Sequence, residues 1–313
     1  MQGLSLIELM VSMVIGLVLM ISIVSAYLGS SGASRVAEAQ ARMNDDAQAA
    51  LTVLTQQLRM AGNNPKQLNY TAAAPRNPVY STTATMAVRG CDGTFSDVTT
   101  ATDIPSLTCA GGATPHSIAV SYEADRFNTV PTAVGGTPTD CLGQSLTVIN
   151  TTTAVWDGAA AVPTNVTYTV ADNRLYIGNA TVSGVVTPSL FCKGNGNATP
   201  QPLVENIEDL RFQYGTAPIA ATSSLTVVGY LTGDAVDALG LGTTAERWSK
   251  VVTVRICVLV RSEQEVVADA ASARYTPCFP TATEISNGVA APDLRMRRAY
   301  TTTVVLRNRI ETP

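Results

Sequence analysis

Apolar positions are concentrated at the start of the chain. Leu4 to Leu28 is a run of 25 residues, LSLIELMVSMVIGLVLMISIVSAYL, in which Glu8 is the only charge. A helix of that length rises ~37 Å, enough to cross the ~30 Å hydrocarbon layer of a bilayer. No proline occurs between Met1 and Pro65. Beyond the Gly29-Ser30-Ser31-Gly32 patch the apolar positions are Val36, Met43, Ala47, Leu51, Leu54 and Leu58, spaced by 7, 4, 4, 3 and 4. That is the single stripe of an amphipathic helix. Arg35, Glu38, Arg42, Asp45 and Asp46 fall off the stripe, and Gly62-Asn63-Asn64-Pro65 ends it. The pattern predicts one helix of roughly 60 residues. Its first half (4–28) is apolar all round, and its second half (29–64) has one sticky face. The mixed stripe lacks the flanking charge pairs of a coiled-coil stalk. Each glycine of the patch costs ~1 kcal/mol relative to alanine, which leaves room for the helix to bend or locally melt there.

In residues 65–313 the period changes. Clusters of Pro, Gly, Thr, Asn and Ser separate short alternating runs, the mark of antiparallel strands. The predicted strands are Ser117–Tyr122, Ser145–Asn150, Val166–Val170, Arg174–Ile177, Leu225–Leu231, Val251–Val260 and Tyr300–Leu306. In the longest, Val252, Val254, Ile256, Val258 and Val260 share one face and point to the core, while Thr253, Arg255, Cys257 and Arg261 take the other. The fold class is therefore α+β: a long N-terminal helix on a large antiparallel β-rich domain.

Composition narrows the chemistry. The chain has 313 residues, 20 Lys+Arg against 24 Asp+Glu, and a net charge of −4. Only 14% of residues are charged, against ~25% in an ordinary soluble domain. A wholesale basic surface for nucleic acid is excluded. The single histidine, His116, leaves no multi-histidine metal site, and its place beside Pro115 suits a structural or surface role. No Walker A sequence is present. Gly240-Leu241-Gly242-Thr243-Thr244-Ala245 matches a dinucleotide fingerprint on paper but lacks a βαβ setting, so it is read as a surface loop. Asp234 and Asp237 are too few for a calcium site. No metal, cofactor or catalytic cluster is assigned. Arg295, Arg297, Arg298, Arg307 and Arg309 form a basic C-terminal patch, read as a solvated sheet face before an acidic or DNA partner.

The six cysteines, Cys91, Cys109, Cys141, Cys192, Cys257 and Cys278, all follow the apolar segment. An even set on an exported body suggests up to three disulfides, whose connectivity spacing alone leaves open. Nearness along the chain suggests Cys91–Cys109, Cys141–Cys192 and Cys257–Cys278; buried free thiols are the alternative. No CxxC pair supports a zinc or redox motif.

Three readings compete for the N-terminal segment. A cleaved secretory signal with a small-residue site at Val24-Ser25-Ala26 fails on length, on the missing basic start and on Glu8. A plain membrane anchor accounts for the length but not for an acid inside the span. The third uses Gly3 and Glu8 together. Gly3-Leu4-Ser5-Leu6-Ile7-Glu8 resembles the class III signal of type IV prepilins. That resemblance implies cleavage between Gly3 and Leu4 by a prepilin peptidase, methylation of the new amino group on Leu4, and retention of the apolar helix. It also implies that Glu8 neutralises the terminal amine of a neighbouring subunit during assembly. The leader is then Met1-Gln2-Gly3, shorter than usual and without its basic residue; an earlier translation start would supply one. Leu4 stands where the family more often has Phe.

Two further stretches resemble the PilW family of minor pilins. Leu203-Val204-Glu205-Asn206-Ile207-Glu208-Asp209-Leu210-Arg211-Phe212-Gln213-Tyr214-Gly215 is similar to a segment shared with the J pseudopilins of type II secretion. Arg297 to Arg309, RRAYTTTVVLRNR, resembles the PilW C-terminal strand with its Leu306-Arg307-Asn308 run. Residues 71–202 match no recognised pattern and read as an insertion that sets specificity. The resemblance implies a type IV pilin-like fold and a non-enzymatic minor pilin. Its expected place is the inner membrane, by a single pass with a periplasmic body, and then the pilus. Its expected partners are the prepilin peptidase, the assembly platform, the major pilin, other minor pilins and a tip adhesin. The alternatives are a J-type pseudopilin and a membrane-anchored periplasmic binding or adhesion protein.

Overall fold

The computed structural model describes residues 5–64, 86–101, 103–112, 115–156, 159–182, 184–196, 199–220 and 226–309. Helix α1, Leu6–Met60, runs for 55 residues, about 82 Å at the standard rise. It is helical through Gly29–Gly32. Its buried residues are Met43, Ala47, Ala50, Leu54, Gln57 and Leu58. The predicted stripe is thus right in its C-terminal part, while Val36 and Leu51 lie at its half-buried margin.

The strands are β1 (Val88–Cys91), β2 (Ser117–Ala124), β3 (Val148–Trp156), β4 (Ala161–Val182), β5 (Val185–Lys193), β6 (Gln201–Glu205), β7 (Ile207–Thr216), β8 (Gly229–Leu231), β9 (Val251–Glu265), β10 (Arg274–Tyr275), β11 (Val289–Ala290) and β12 (Arg295–Val305). Every described pairing is antiparallel. One sheet has the order β1-β2-β4-β5-β6, with β3 on the far half of β4; a second has the order β12-β9-β7-β8. Short helices α2 (Gly233–Asp237), α3 (Thr244–Trp248) and α4 (Ala282–Asn287) fill the connections. One core joins α1 to both sheets: Leu54 and Leu58 pack with Ile118, Leu175 and Leu190 of the first and Phe212, Val254, Ile256 and Val304 of the second. Each such side chain contributes ~1.5–3 kcal/mol by leaving water. The alternation read in β9 is as predicted, with Val254, Ile256, Val258 and Val260 at zero exposure.

Three differences from the sequence reading have physical causes. The predicted strands 166–170 and 174–177 are parts of the single 22-residue β4. Polar Asp172, Asn173 and Arg174, which look like a turn, are buried there because they bond to one another and to neighbours. Strand β7 escapes a period-2 reading because its register shifts between Ile207 and Asp209. Its buried apolar residues therefore fall at 207, 210, 212 and 214. Of the predicted strand 225–231 only Gly229–Leu231 forms, and Leu225 lies outside the described residues.

Asn206 separates β6 from β7 and has φ 61°. Asparagine tolerates this left-handed conformation better than most residues. It lets the chain leave one sheet and enter the other in one step. The structure joins the six cysteines as Cys91–Cys109, Cys141–Cys192 and Cys257–Cys278. Each pair ties a core strand to the loop beside it.

Candidate functional site

The site is the N-terminal helix, and it has two halves with opposite surroundings. Between Leu6 and Leu28 the large apolar side chains stand free of the body, from Leu9 at 50% to Leu6 at 79% exposure. The segment is long and apolar enough to cross a membrane. Its serine hydroxyls are satisfied within the helix: Ser12 donates to the Leu9 carbonyl (2.9 Å), Ser22 to Val18 (2.9 Å) and Ser25 to Ile21 (2.8 Å). This conceals the hydroxyls from an apolar solvent, which offers them no partner.

Glu8 is the only charged group of the segment. Its carboxylate turns back to the helix start and accepts the Ser5 N–H at 3.0 Å. The first N–H groups of a helix lack intrahelical partners, and an acid three residues on is a standard way to supply one. The charge is thereby held at the first turn of the helix, beside the Ser5 amide. Gly3 and Leu4, the expected cleavage and methylation positions, lie outside the described residues.

The second half is fixed by polar contacts that the apolar stripe does not reveal. Asn173 of β4 donates to Gln57 Oε1 at 2.7 Å inside the protein. Tyr300 of β12 donates to Asn44 Oδ1 at 2.6 Å. Asn308 donates to the Arg59 carbonyl at 2.9 Å. Asp46 is bonded by the Asn206 side chain, and burial pushes its carboxyl above the usual range. Arg42 bridges Glu38 (2.9 Å) and Glu263 (2.8 Å), but these side chains are about 60% exposed and hold little energy. The signal for Gln57 was its place three residues after Leu54, on the buried stripe. Nothing local in the sequence marked Asn44.

The arginine patch is not the solvated face expected from its sequence. Arg297 has a side-chain exposure of 1% and forms a fork on Glu208 and a 2.7 Å pair with Asp293. Burial alone would lower its pKa, but these hydrogen bonds outweigh it and hold the guanidinium charged. The Arg297 bond, despite the opposing effect of burial, lowers the Asp293 carboxyl to about 2. Arg295 also pairs with Asp293, at 3.2 Å. Asp293 stands only four residues before Arg297, just ahead of the run read as a patch, whereas Glu208 comes from β7, 89 residues away, where a local reading of charge could not find it. Arg298 and Arg307 do remain exposed, as expected.

The other candidates resolve as structure. His116 is buried and accepts the Phe212 N–H at Nδ1, 3.0 Å. Asp237 accepts Trp248 Nε1–H at 2.7 Å, and Asp92 accepts the N–H groups of Gly233 and Asp234 at the start of α2. Residues 240–245 run from the loop after α2 into α3. Among the described residues no group of three or more His, Cys, Asp or Glu is placed to hold a metal.

A free apolar half-helix continuing into a half packed on antiparallel sheets is the arrangement expected of a type IV pilin. The sequence model of the family described as type IV pilus-assembly protein W, PilW, matches residues 167–308. The match starts inside β4, so it reaches into the 71–202 region that carried no recognised pattern. No curated protein matches the chain. A solved structure, the type IV-like pilin TTHA1219 from Thermus thermophilus, aligns over 85% of this chain and 98% of its own at 12% identity. The TM-score is 0.34.

Proposed function

We propose that this pilus-related pilin acts as a minor pilin of a type IV pilus. Prepilin peptidase cuts between Gly3 and Leu4, the Leu4 amine is methylated, and the chain waits in the inner membrane with its body in the periplasm. The assembly platform then draws it, with other minor pilins, into the short complex that primes the filament. The complex stays at the tip, above the major pilin and next to a tip adhesin. The role is structural, and residues 71–202 present its individual surfaces.

The reading rests on one observation above all. A helix segment with no cover from its own body carries a single carboxylate, one turn from the proposed cut. An acid in a membrane span costs ~2.5–3.5 kcal/mol on insertion scales and is unfavourable without a cationic partner. An ammonium freed at Leu4, on this chain or on a neighbouring spine, meets that need. The PilW match to the body supports the pilus over a plain anchor. Segment 203–215 is shared with J-type pseudopilins, and adjacent genes separate the two: further minor pilins and a large adhesin for the pilus, secretion genes for the other.

The test is the mature N-terminus together with piliation of a Glu8→Ala strain. The expected result is a chain that begins at methylated Leu4, and a variant that is cut and folded but assembles poorly. A mature chain that starts at Met1 or near Tyr27, or normal piliation with Glu8→Ala, overturns the proposal.

A further inference from the structure

We propose that the outer edge of β12 is a docking site for an extended segment of another protein, uncharged and β-branched in its middle and acidic at its ends. β12 lies at the margin of its sheet and pairs with β9 alone among the described strands. Leu306 donates its N–H to the Val252 carbonyl, one pair beyond Val305↔Thr253. Antiparallel pairs alternate between bonded and non-bonded. Hence Tyr300, Thr302 and Val304 turn their backbone groups toward β9, while Ala299, Thr301, Thr303 and Val305 turn theirs outward. No described residue bonds to those outward groups.

Exposed edges of this kind are normally protected by charge, proline, a bulge or shortness. Ala299–Val305 has no charge, proline or glycine, and the register shift of β12 falls before it, between Arg295 and Arg297. The other marginal strands do carry protection: Arg89 in β1, Pro202 and Glu205 in β6, and a length of only three residues in β8. β3 is long and open too, but it packs on β4 as a two-stranded ribbon, and a ribbon is a poor rigid template. The β12 edge is rigid. Val304 and Leu306 are buried in the core, Tyr300 is bonded to α1, and Arg297 is held by two carboxylates.

Charge decides the occupant. Arg298 and Arg307 stand exposed at the two ends of the stretch. A second copy laid antiparallel about Thr302 would bring Arg298 of each chain near Arg307 of the other, with like charges at both ends. A foreign strand with acidic ends has the opposite balance. Main-chain bonds supply affinity in this mode of recognition and the flanking charges supply selection. The edge lies far from Glu8, so this inference stands or falls apart from the membrane reading.

The test uses the full chain in detergent and two labelled peptides. Both have a Thr-Val repeat in the middle; one ends in paired aspartates, the other in paired lysines. Fluorescence anisotropy should show the aspartate peptide bound about ten-fold tighter, the size expected from a few exposed ion pairs. Amide exchange over 299–305 should slow when it binds. Thr303→Pro removes an outward N–H without touching the β9 ladder, so it should abolish binding, and Thr303→Val should preserve it. If the proline variant does not fold, the Arg298→Glu, Arg307→Glu chain should reverse the peptide preference. Equal affinity for the two peptides, unchanged exchange, full binding by a folded Thr303→Pro chain, or no reversal in the double variant overturns the proposal. So does slow edge exchange without peptide that depends on chain concentration, which would mark self-pairing.

Discussion

The side-chain amide of Asn308 donates to the carbonyl of Arg59, so the C-terminal Leu306-Arg307-Asn308 run closes the end of the spine helix. The last carbonyls of a helix have no partner in the helix and carry the negative end of its dipole. Asn308 offers one of them a donor. Asn308→Ala should lower unfolding free energy by ~0.5–1.5 kcal/mol, the net value of one hydrogen bond. Asn308→Asp should cost more, because a carboxylate would face a carbonyl at the negative helix end. Thermal melts of the three chains would check the order. Equal stability of the Ala and Asp variants would show that the contact does not act on the helix end.

Asn206 gives a second prediction of the same kind. Its φ of 61° lets β6 and β7 enter different sheets, and its side chain also reaches Asp46 on α1. Asn206→Gly keeps the backbone conformation and loses only the bond. Asn206→Ala loses both and should be less stable than the glycine variant by ~1 kcal/mol, the cost of left-handed backbone for a residue with Cβ. Denaturant unfolding would measure the gap. A glycine variant no more stable than the alanine one would mean that the backbone conformation is not what Asn206 provides.

Arg297 and Arg298 are adjacent in sequence and opposite in role. Arg297→Ala takes away Glu208's partner and one of Asp293's two, and should cost ~1–3 kcal/mol, because both acids keep some contact with water and Asp293 keeps Arg295. Arg298→Ala removes an exposed side chain that lies over the Tyr300 ring, 5.5 Å from its centroid. Its cost should stay near ~0.5 kcal/mol. Melting temperatures of the two variants check this, and similar losses for both would contradict the assignment.

How far the sequence reveals this protein depends on whether a feature is local. The free half of α1 is a matter of composition, so Leu4–Leu28 could be read directly. The core face of β9 is a matter of period and was equally legible. The two-sheet arrangement was not, because it turns on Asn206, and a lone asparagine has many other uses. β7 was hidden by its bulge, and the middle of β4 by Asp172 and Arg174. These two pair at 3.2 Å inside the protein, and Arg174 also donates to the Val98 and Ala101 carbonyls. The role of Arg297 was misread for a related reason: Glu208 lies 89 residues away. Glu8 stood out because an acid in an apolar run is improbable unless used.

Asp293 makes acid stability a test of the same cluster. The Arg297 hydrogen bond, against the opposing effect of burial, lowers its folded pKa to about 2 from an ordinary 3.8. A carboxyl lowered in this way stabilises the fold above its unfolded pKa and loses that contribution as pH falls through the folded value. The shift corresponds to on the order of 2 kcal/mol, an upper figure because solvent partly screens the pair. The unfolding free energies of the natural chain and Asp293→Asn should therefore differ most above pH ~5 and converge as pH approaches ~2. Burial raises the carboxyls of Asp172 and Asp209. Their pH dependence has the opposite sign, but it is common to both chains and cancels in the difference. Urea unfolding from pH ~2 to ~6 would trace the two curves. A gap that stayed constant across that window would mean that Asp293 holds Arg297 by shape and not by charge.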